Sequence, residues 1–552
     1  MNPDPLPTTP RALARQPVPG RRRLRLHRAA LVVSVAAALA VTGCGGGSSS
    51  SSGSSSAGSA ASSAPAATSA VDTLKIANGV AIDTLDPAQN AANESIWLDQ
   101  NIYARLVQTD PTGTKVVPDL AKSWDTSADG LTWTFHLDPA AKFADGTAVT
   151  ASDAAWSINR AKAVDGGWGF LITPVKSVVA TDPQTVTIKL TARHSPLLAD
   201  LAMYAFGILP QKAVQADKNF FAKTPYGAGP FKVTSLNPDS ELVLSRNDSY
   251  HGTKPKIATV DVTVVTNDNT RVLQLQGKQV DVIENPPGNL LKQLGQNPNV
   301  HVDLFPSTRV DFLQVPLKTK PFENVKVRQA VRAAIDLDAL NTLAYQGNAV
   351  PANTFFPYKS LYWAESIAAP KPDLAKAKQL LTEAGYPDGF HTKLVAVSGD
   401  AAGQAQAVVI KDSLAKVGID VTITSFEQST AYTNERSGTN GLGLRYWTND
   451  IIDPDEVATF GADIKGGANS FSSYWGDPKV SKLINDARSE TDPAKRQQMY
   501  TQVQQAVADQ VPFLPLAYAP YRYATGSWVD GFHVSPLGNY NDSLLSLTVG
   551  TH

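Results

Sequence analysis

A mixed α/β protein of two unlike lobes is predicted from three observations. Residues 131–190 alternate in short apolar stretches separated by turn dipeptides. Residues 391–424 read as strand, helix, strand. No internal repeat or low-complexity run interrupts the body from Val71 to His552. The first pattern belongs to a β-rich lobe and the second to an α/β lobe with parallel strands, and two unlike lobes leave a cleft between them. The composition agrees, with 42% hydrophobic and 18% charged residues in a chain of 552. Nucleic acid is not expected as a partner, because no long stretch of the body supplies a basic stripe. A single cysteine excludes internal disulfides and Cys-clustered metal sites.

The chain opens with an address. Seven arginines and one acid, Asp4, fall in residues 1–43, so the near-neutral total hides a mildly acidic body. Arg21 to Arg28 form a positive flank. Ala29 to Val41 is an apolar run too short to span a bilayer comfortably and suited to a signal-peptide core. It ends in Val41-Thr42-Gly43-Cys44, which resembles the bacterial lipobox, with Cys44 the residue that takes the lipid. The arginine pairs also suggest a twin-Arg export route, although the residues after them match that pattern poorly. Gly45 to Ala70 is almost entirely Ser, Ala and Gly, a composition that cannot bury apolar surface. Residues 44–70 are therefore expected to be a lipidated cysteine and a disordered leash, spanning on the order of 28 Å as a flexible coil.

In the body, Leu131 to Asp138 places Trp133, Phe135 and Leu137 on one face of a strand, flanked by Asp129-Gly130 and Asp145-Gly146. Ser152 or Asp153 caps a helix running through Ala161, and Val175 to Ala180 and Thr185 to Leu190 follow as strands. Asn324 to Leu343 reads as one helix. Asp373 to Ala384 reads as another, with Leu374, Ala377, Leu380, Leu381 and Ala384 in a stripe and Gly385 at the stop. His391 to Val397, a helix from about Gln404 to Val417, and Ile419 to Thr424 make a βαβ unit.

Catalytic motifs are scarce. Ser413 and Lys416 match Ser-x-x-Lys, but late in an amphipathic helix and with no Lys-Thr-Gly. Asp125-x-Ser127-x-Asp129-Gly130 imitates a calcium loop but has His136 at the twelfth position, so a hairpin turn is the better account. The eight histidines show no ligand spacing, and neither a metal site nor a cofactor is expected, although one His helping to hold a chelated metal stays open. Gly443 to Pro454 sets Tyr446, Trp447, Asn449 and Asp450 at the end of an apolar strand. The segment reads either as a cleft lining in which a desolvated Asp meets an ammonium group, or as an ordinary strand end with Asp-Pro turn chemistry.

These residues, with others in order along the chain, resemble extracytoplasmic solute-binding proteins, family 5, of peptide and nickel ABC importers. The similar stretches are Leu85-Asp86-Pro87; Asn101 to Leu106; Pro118 to Trp124 through Asp129 to Leu137; Lys142 to Gly146 and Thr150 to Asp153; Gly227 to Phe231; Val325 to Val331; Ala377 to Tyr386; and Asp492 to Arg496. The resemblance implies a two-lobe, type II periplasmic-binding fold with an additional β-rich subdomain in lobe I. Lobe I is then expected at 71–306 plus 513–552, with the subdomain at 113–224 and lobe II at 307–512. It further implies a monomer outside the cell, lipid-anchored to the membrane, that is not an enzyme. Such a protein encloses a peptide-like solute and docks on ABC permease subunits with their ATPase.

Dipeptide binders of the family hold the peptide ammonium with an Asp in Trp-Thr-x-Asp, and Asp450 occupies that place, with Tyr446, Trp447 and Asn449 beside it as further ligand-binding candidates. The family's Arg for the carboxylate, at the start of the upstream helix, has no counterpart in Ala401-Ala402-Gly403-Gln404. Arg445 is expected on the strand face opposite Tyr446. An unpartnered buried carboxylate costs several kcal/mol, so longer peptides or a non-peptide cation are expected rather than strict dipeptides. Two alternatives stand beside import: a surface-tethered hydrolase or amidase, and a binder of a metal chelate or opine. A ligand sensor is not separable from an importer receptor by sequence.

Overall fold

Alternating apolar residues build two separate mixed sheets, and the chain passes between them twice. The computed structural model describes residues 70–552 apart from 83, 91, 439–440, 467–469 and 540. The expected signal peptide, Cys44 and the leash up to residue 69 lie outside the described residues. Ala70, expected to be the last leash residue, already belongs to the body, since it pairs with Gly550.

The first sheet has seven strands, in the order Val300–Phe305, Tyr521–Gly526, Val282–Glu284, Thr73–Asn78, Thr259–Val264, Glu241–Arg246 and Phe231–Asn237. Its middle strand, Thr73–Asn78, pairs parallel with both neighbours and buries Leu74, Ile76 and Ala77. An antiparallel sheet of four strands, Ala121–Thr126, Thr132–Leu137, Thr185–Leu190 and Val175–Asp182, forms a β-rich appendage. The helix Ala151–Ala163 covers it, with Asn159 Nδ2 donating to Val178 O at 2.9 Å. That helix is capped by Thr150 rather than by Ser152 or Asp153. Thr150 and Asp153 form a reciprocal capping box, which satisfies two backbone donors at once. The calcium-like run is a hairpin turn. Asp129 Oδ1 accepts from Ser127 Oγ at 2.5 Å and from Leu131 N at 2.9 Å, and Gly130 supplies a φ of 73°.

The second sheet has six strands, in the order Val350–Pro351, Phe513–Tyr518, Val310–Gln314, Leu442–Trp447, Phe390–Val397 and Ile419–Phe426. Phe390–Val397 and Ile419–Phe426 pair in parallel across the helix Ala401–Ala415, the predicted βαβ unit. The helix begins three residues before Gln404 because Asp400 caps it. The long helix expected from Asn324 to Leu343 is two, Val325–Ala334 and Leu337–Tyr345. Ile335 is extended, and Asp336 caps the second helix by accepting from Ala339 N at 3.0 Å. Ser413, buried in the helix Ala401–Ala415, accepts the Asp336 N–H at 3.4 Å, a structural use for the Ser of the Ser-x-x-Lys match.

The crossings between sheets lie at residues 306–309 and 519–520. The return expected at Phe513 falls later, because Phe513–Tyr518 is fully buried in the second sheet, paired with Val310–Gln314, before Tyr521–Gly526 joins the first. Ser307 Oγ donates to Ala519 O at 2.5 Å, tying the two crossings side by side.

Gly389 and Gly418 precede the two parallel strands and touch each other there. Gly389 has a φ of 80°, and a Cβ on it would stand 1.9 Å from Gly418 O, a contact that only backbone movement can relieve. Gly389→Ala is therefore expected to cost at least about 2 kcal/mol, read as a lowered urea midpoint. An unchanged midpoint would show that this turn is not fixed as described.

Candidate functional site

The strand Leu442–Trp447 runs into a polar loop and then into the helix Asp455–Ala462. Asn449 folds that loop. Its Nδ2 donates to Ile451 O at 2.6 Å and Asp453 O at 3.1 Å, and its Oδ1 accepts from Val457 N at 3.1 Å. Its backbone exchanges hydrogen bonds with Thr308 Oγ1 at the first crossing. Asn449, expected to bind ligand, has its buried amide engaged by these loop hydrogen bonds next to Asp450.

Four acids follow Trp447 within nine residues, and they fall into two classes. Asp453 is held by both terminal nitrogens of Arg496 at 2.9 and 3.0 Å, and Asp455 accepts from Arg488 Nε at 2.6 Å. Asp450 and Glu456 have no cation within ion-pair distance among the described residues. Glu456 is fully buried. Its Oε2 accepts the Asp450 N–H at 2.8 Å, while its Oε1 has no partner. Burial pushes the Asp450 carboxyl up to about 7, and burial followed by the neighbouring Asp450 charge pushes Glu456 well above its ordinary value. Two desolvated carboxyls side by side cannot both ionise without a cation.

Asp450 lines a cavity of about 10 Å³ together with Gln100, Arg105, Tyr204 and Asn539. That is room for roughly one water-sized group. All four of these neighbours come from the part of the chain that carries the first sheet, so the cavity lies between the lobes. Trp447 packs on Phe460 and Phe471 with centroids 4.5 and 5.4 Å away, and its buried Nε1 has no hydrogen-bond partner. Phe460 in turn meets Phe170 at 4.6 Å, so this aromatic cluster joins the two sides. Thr448 Oγ1 donates to Asn93 Oδ1 at 3.1 Å across the same boundary.

Tyr446 does not share the Asp450 cavity. It lines a larger one of about 360 Å³ beside the crossings, with the Arg309 guanidinium 4.0 Å over its ring. Arg445 lies away from it, with Nη1 donating to Ser472 Oγ at 3.0 Å and Nε 3.5 Å from Glu435. Sequence reasoning missed Glu456, although Pro454-Asp455-Glu456 is a helix-start signal that predicts a turn bringing it back toward Asp450. Arg309, Arg522 and Arg271, which also line the larger cavity, carried no signal, because only the tertiary fold assembles them.

A raised carboxyl pKa has a stability cost with a definite sign. The folded state binds a proton at Asp450 that the unfolded chain has lost, so this group's contribution falls as pH rises from about 4 to about 7. Asp450→Asn is expected to raise the thermal midpoint of the unliganded protein at pH 8, with the gain shrinking as pH falls toward 4. A gain independent of pH, or a loss, would contradict the assignment of a strained carboxyl.

The model of bacterial extracellular solute-binding proteins, family 5 Middle, matches residues 115–464, more than half of the chain. The dipeptide-binding protein of Escherichia coli (strain K12) is 31% identical over 480 residues, covering 81% of this chain and 89% of that protein. The solved ABC transporter-associated periplasmic binding protein DppA from Helicobacter pylori, in complex with peptide STSA, has a TM-score of 0.78 at 29% identity, covering 87% of this chain and 98% of that one. AgaA in complex with agropinic acid, from A. tumefacien R10, also has a TM-score of 0.78, at 25% identity, covering 87% and 99%. The sheets match the fold of two-lobe periplasmic binding proteins. This chain belongs to the bacterial extracellular solute-binding proteins, family 5.

Proposed function

We propose that this protein is the lipid-anchored substrate-binding component of an ABC importer, which captures a peptide-like solute between its lobes and delivers it to the permease. The observation that carries the reading is the Asp450–Glu456 pair: a half-buried and a fully buried carboxyl with no cation within ion-pair distance among the described residues, next to a cavity the size of an ammonium group that Arg105 also lines. A peptide amino terminus arriving there restores the ionised form of Asp450, and Gln100, Tyr204 and Asn539 surround it with polar groups from the other lobe. Contacts to both lobes favour the closed state. Trp447 offers its indole face for packing and an unpartnered N–H for a peptide carbonyl.

Two names among the relatives support a peptide: the dipeptide-binding protein of Escherichia coli and the Helicobacter pylori protein with its tetrapeptide. The anchor rests on the sequence Val41-Thr42-Gly43-Cys44 behind an apolar run. Among the described residues no helix is long and apolar enough to cross a membrane. A hydrolase is disfavoured by the structural use of Ser413.

Small peptides with free amino termini are expected to bind stoichiometrically and unchanged, with affinity rising between pH 5 and 7 as Asp450 ionises. Asp450→Ala should weaken them about 100-fold or more by calorimetry. Turnover of the peptide, or an Asp450→Ala protein that binds like the wild type, would overturn the reading. In an exporting host, Cys44→Ser is expected to move the protein from the membrane fraction to the medium or periplasm. Retention in the membrane would refute the lipid anchor alone.

A further inference from the structure

The larger cavity beside the crossings holds three guanidinium groups, and two are committed. Arg271 Nη2 donates to Asp268 Oδ1 and its Nη1 to Val265 O, each at 2.7 Å. Arg309 Nε donates to Asp311 Oδ1 at 2.7 Å while the group stacks on Tyr446. The third, Arg522, stands on the strand Tyr521–Gly526 of the first sheet, and its side chain makes no hydrogen bond or ion pair among the described residues. Gly288 leaves room for it, since a Cβ there would stand 3.4 Å from Arg522 Nη1.

The acids lining the cavity do not neutralise Arg522. Asp268 is paired with Arg271. Asp400 accepts the Gly403 N–H at 3.0 Å as a helix cap and does not come within ion-pair distance of Arg522. The neighbouring Ala401 and Ala402 bring no charge. Burial first, and then the positive charge of Arg309, lower the Arg522 pKa, against opposing contributions from Tyr345, Asp400 and Asp311. An anion between Arg522 and Arg309 would relieve that repulsion and join the first sheet to the second.

We propose that Arg522 is the carboxylate receptor of the site, a hinge-side anionic subsite separate from the Asp450 cavity. The inference rests on the peptide reading above and sharpens it. Tyr446 lines one cavity and Asp450 the other, four residues apart on one segment, so their Cα atoms stand at most about 14 Å apart. A peptide of roughly three or four residues, with its amino end at Asp450, would cover that spacing and bring a carboxylate into the cavity that Arg522 lines. The carboxylate is either the C terminus or an acidic side chain near it.

Three matched tetrapeptide libraries separate these cases in native mass spectrometry of unliganded full-length protein. One has free C termini and no acidic residues, one is the same library amidated, and one is amidated with Glu at the last position. The wild type is expected to retain the free library at least 10-fold better than the neutral amide, with the Glu library showing whether a side-chain carboxylate substitutes. Arg522→Gln should abolish that preference while leaving retention of the neutral amide and the thermal midpoint unchanged. Equal retention of all three by the wild type, or an undiminished preference in Arg522→Gln, would overturn the subsite while leaving the peptide reading intact. Failure to retain any library would overturn the peptide reading itself, and the subsite with it.

Discussion

A half-buried Asp450 beside the fully buried Glu456, with no cation within ion-pair distance among the described residues, is the constraint around which the proposed binding site is organised. Asp450 and Glu456 are six residues apart and are brought together by a loop that Asn449 holds with three side-chain hydrogen bonds. Neighbouring acids show what a purely structural arrangement looks like here: Asp453 and Asp455 each have an arginine. Leaving that pair uncompensated costs stability, and the pair lies at the boundary between the lobes. An arriving cation is worth more in such a place than at the surface, because it meets a charge that water screens only in part.

The architecture explains how that local strain becomes a two-lobe event. The chain crosses between the two mixed sheets at residues 306–309 and 519–520, which Ser307 and Ala519 tie together. Thr308 also contacts Asn449, so the loop that presents Asp450 is fastened directly to a crossing. Tyr446 and Arg309 sit on the other side of the same crossings. Both cavities therefore border the crossings that link the two sheets.

Much of the fold was legible in the sequence because period and turn chemistry are local. The strand over Thr132–Leu137, the βαβ unit and the stop at Gly385 follow from residues within a few positions of one another. The errors were also local competitions: Asp336 capped a second helix where the apolar pattern ran on, and Asp400 drew a helix start forward. The sheet membership of Phe513–Tyr518 was not legible, since a wholly apolar strand suits the centre of either sheet and only pairing with Val310–Gln314 decides. For the candidate site, Trp447-Thr448-Asn449-Asp450 drew attention to the segment that carries Asp450. The sequence could not separate Asp450, which faces a cavity, from Asn449, which the loop consumes. Nor could it reveal Arg522, whose lack of a partner is a property of three-dimensional neighbours.

The central claim is that Asp450 exchanges a proton for an ammonium group when solute binds. Calorimetry of trialanine binding at pH 6, in two buffers of different ionisation enthalpy, counts the protons released. With Asp450 titrating near 7 in the empty site, the wild type should release close to one proton per peptide bound, and Asp450→Asn none. Binding by the wild type without proton release at pH 6 would contradict the account.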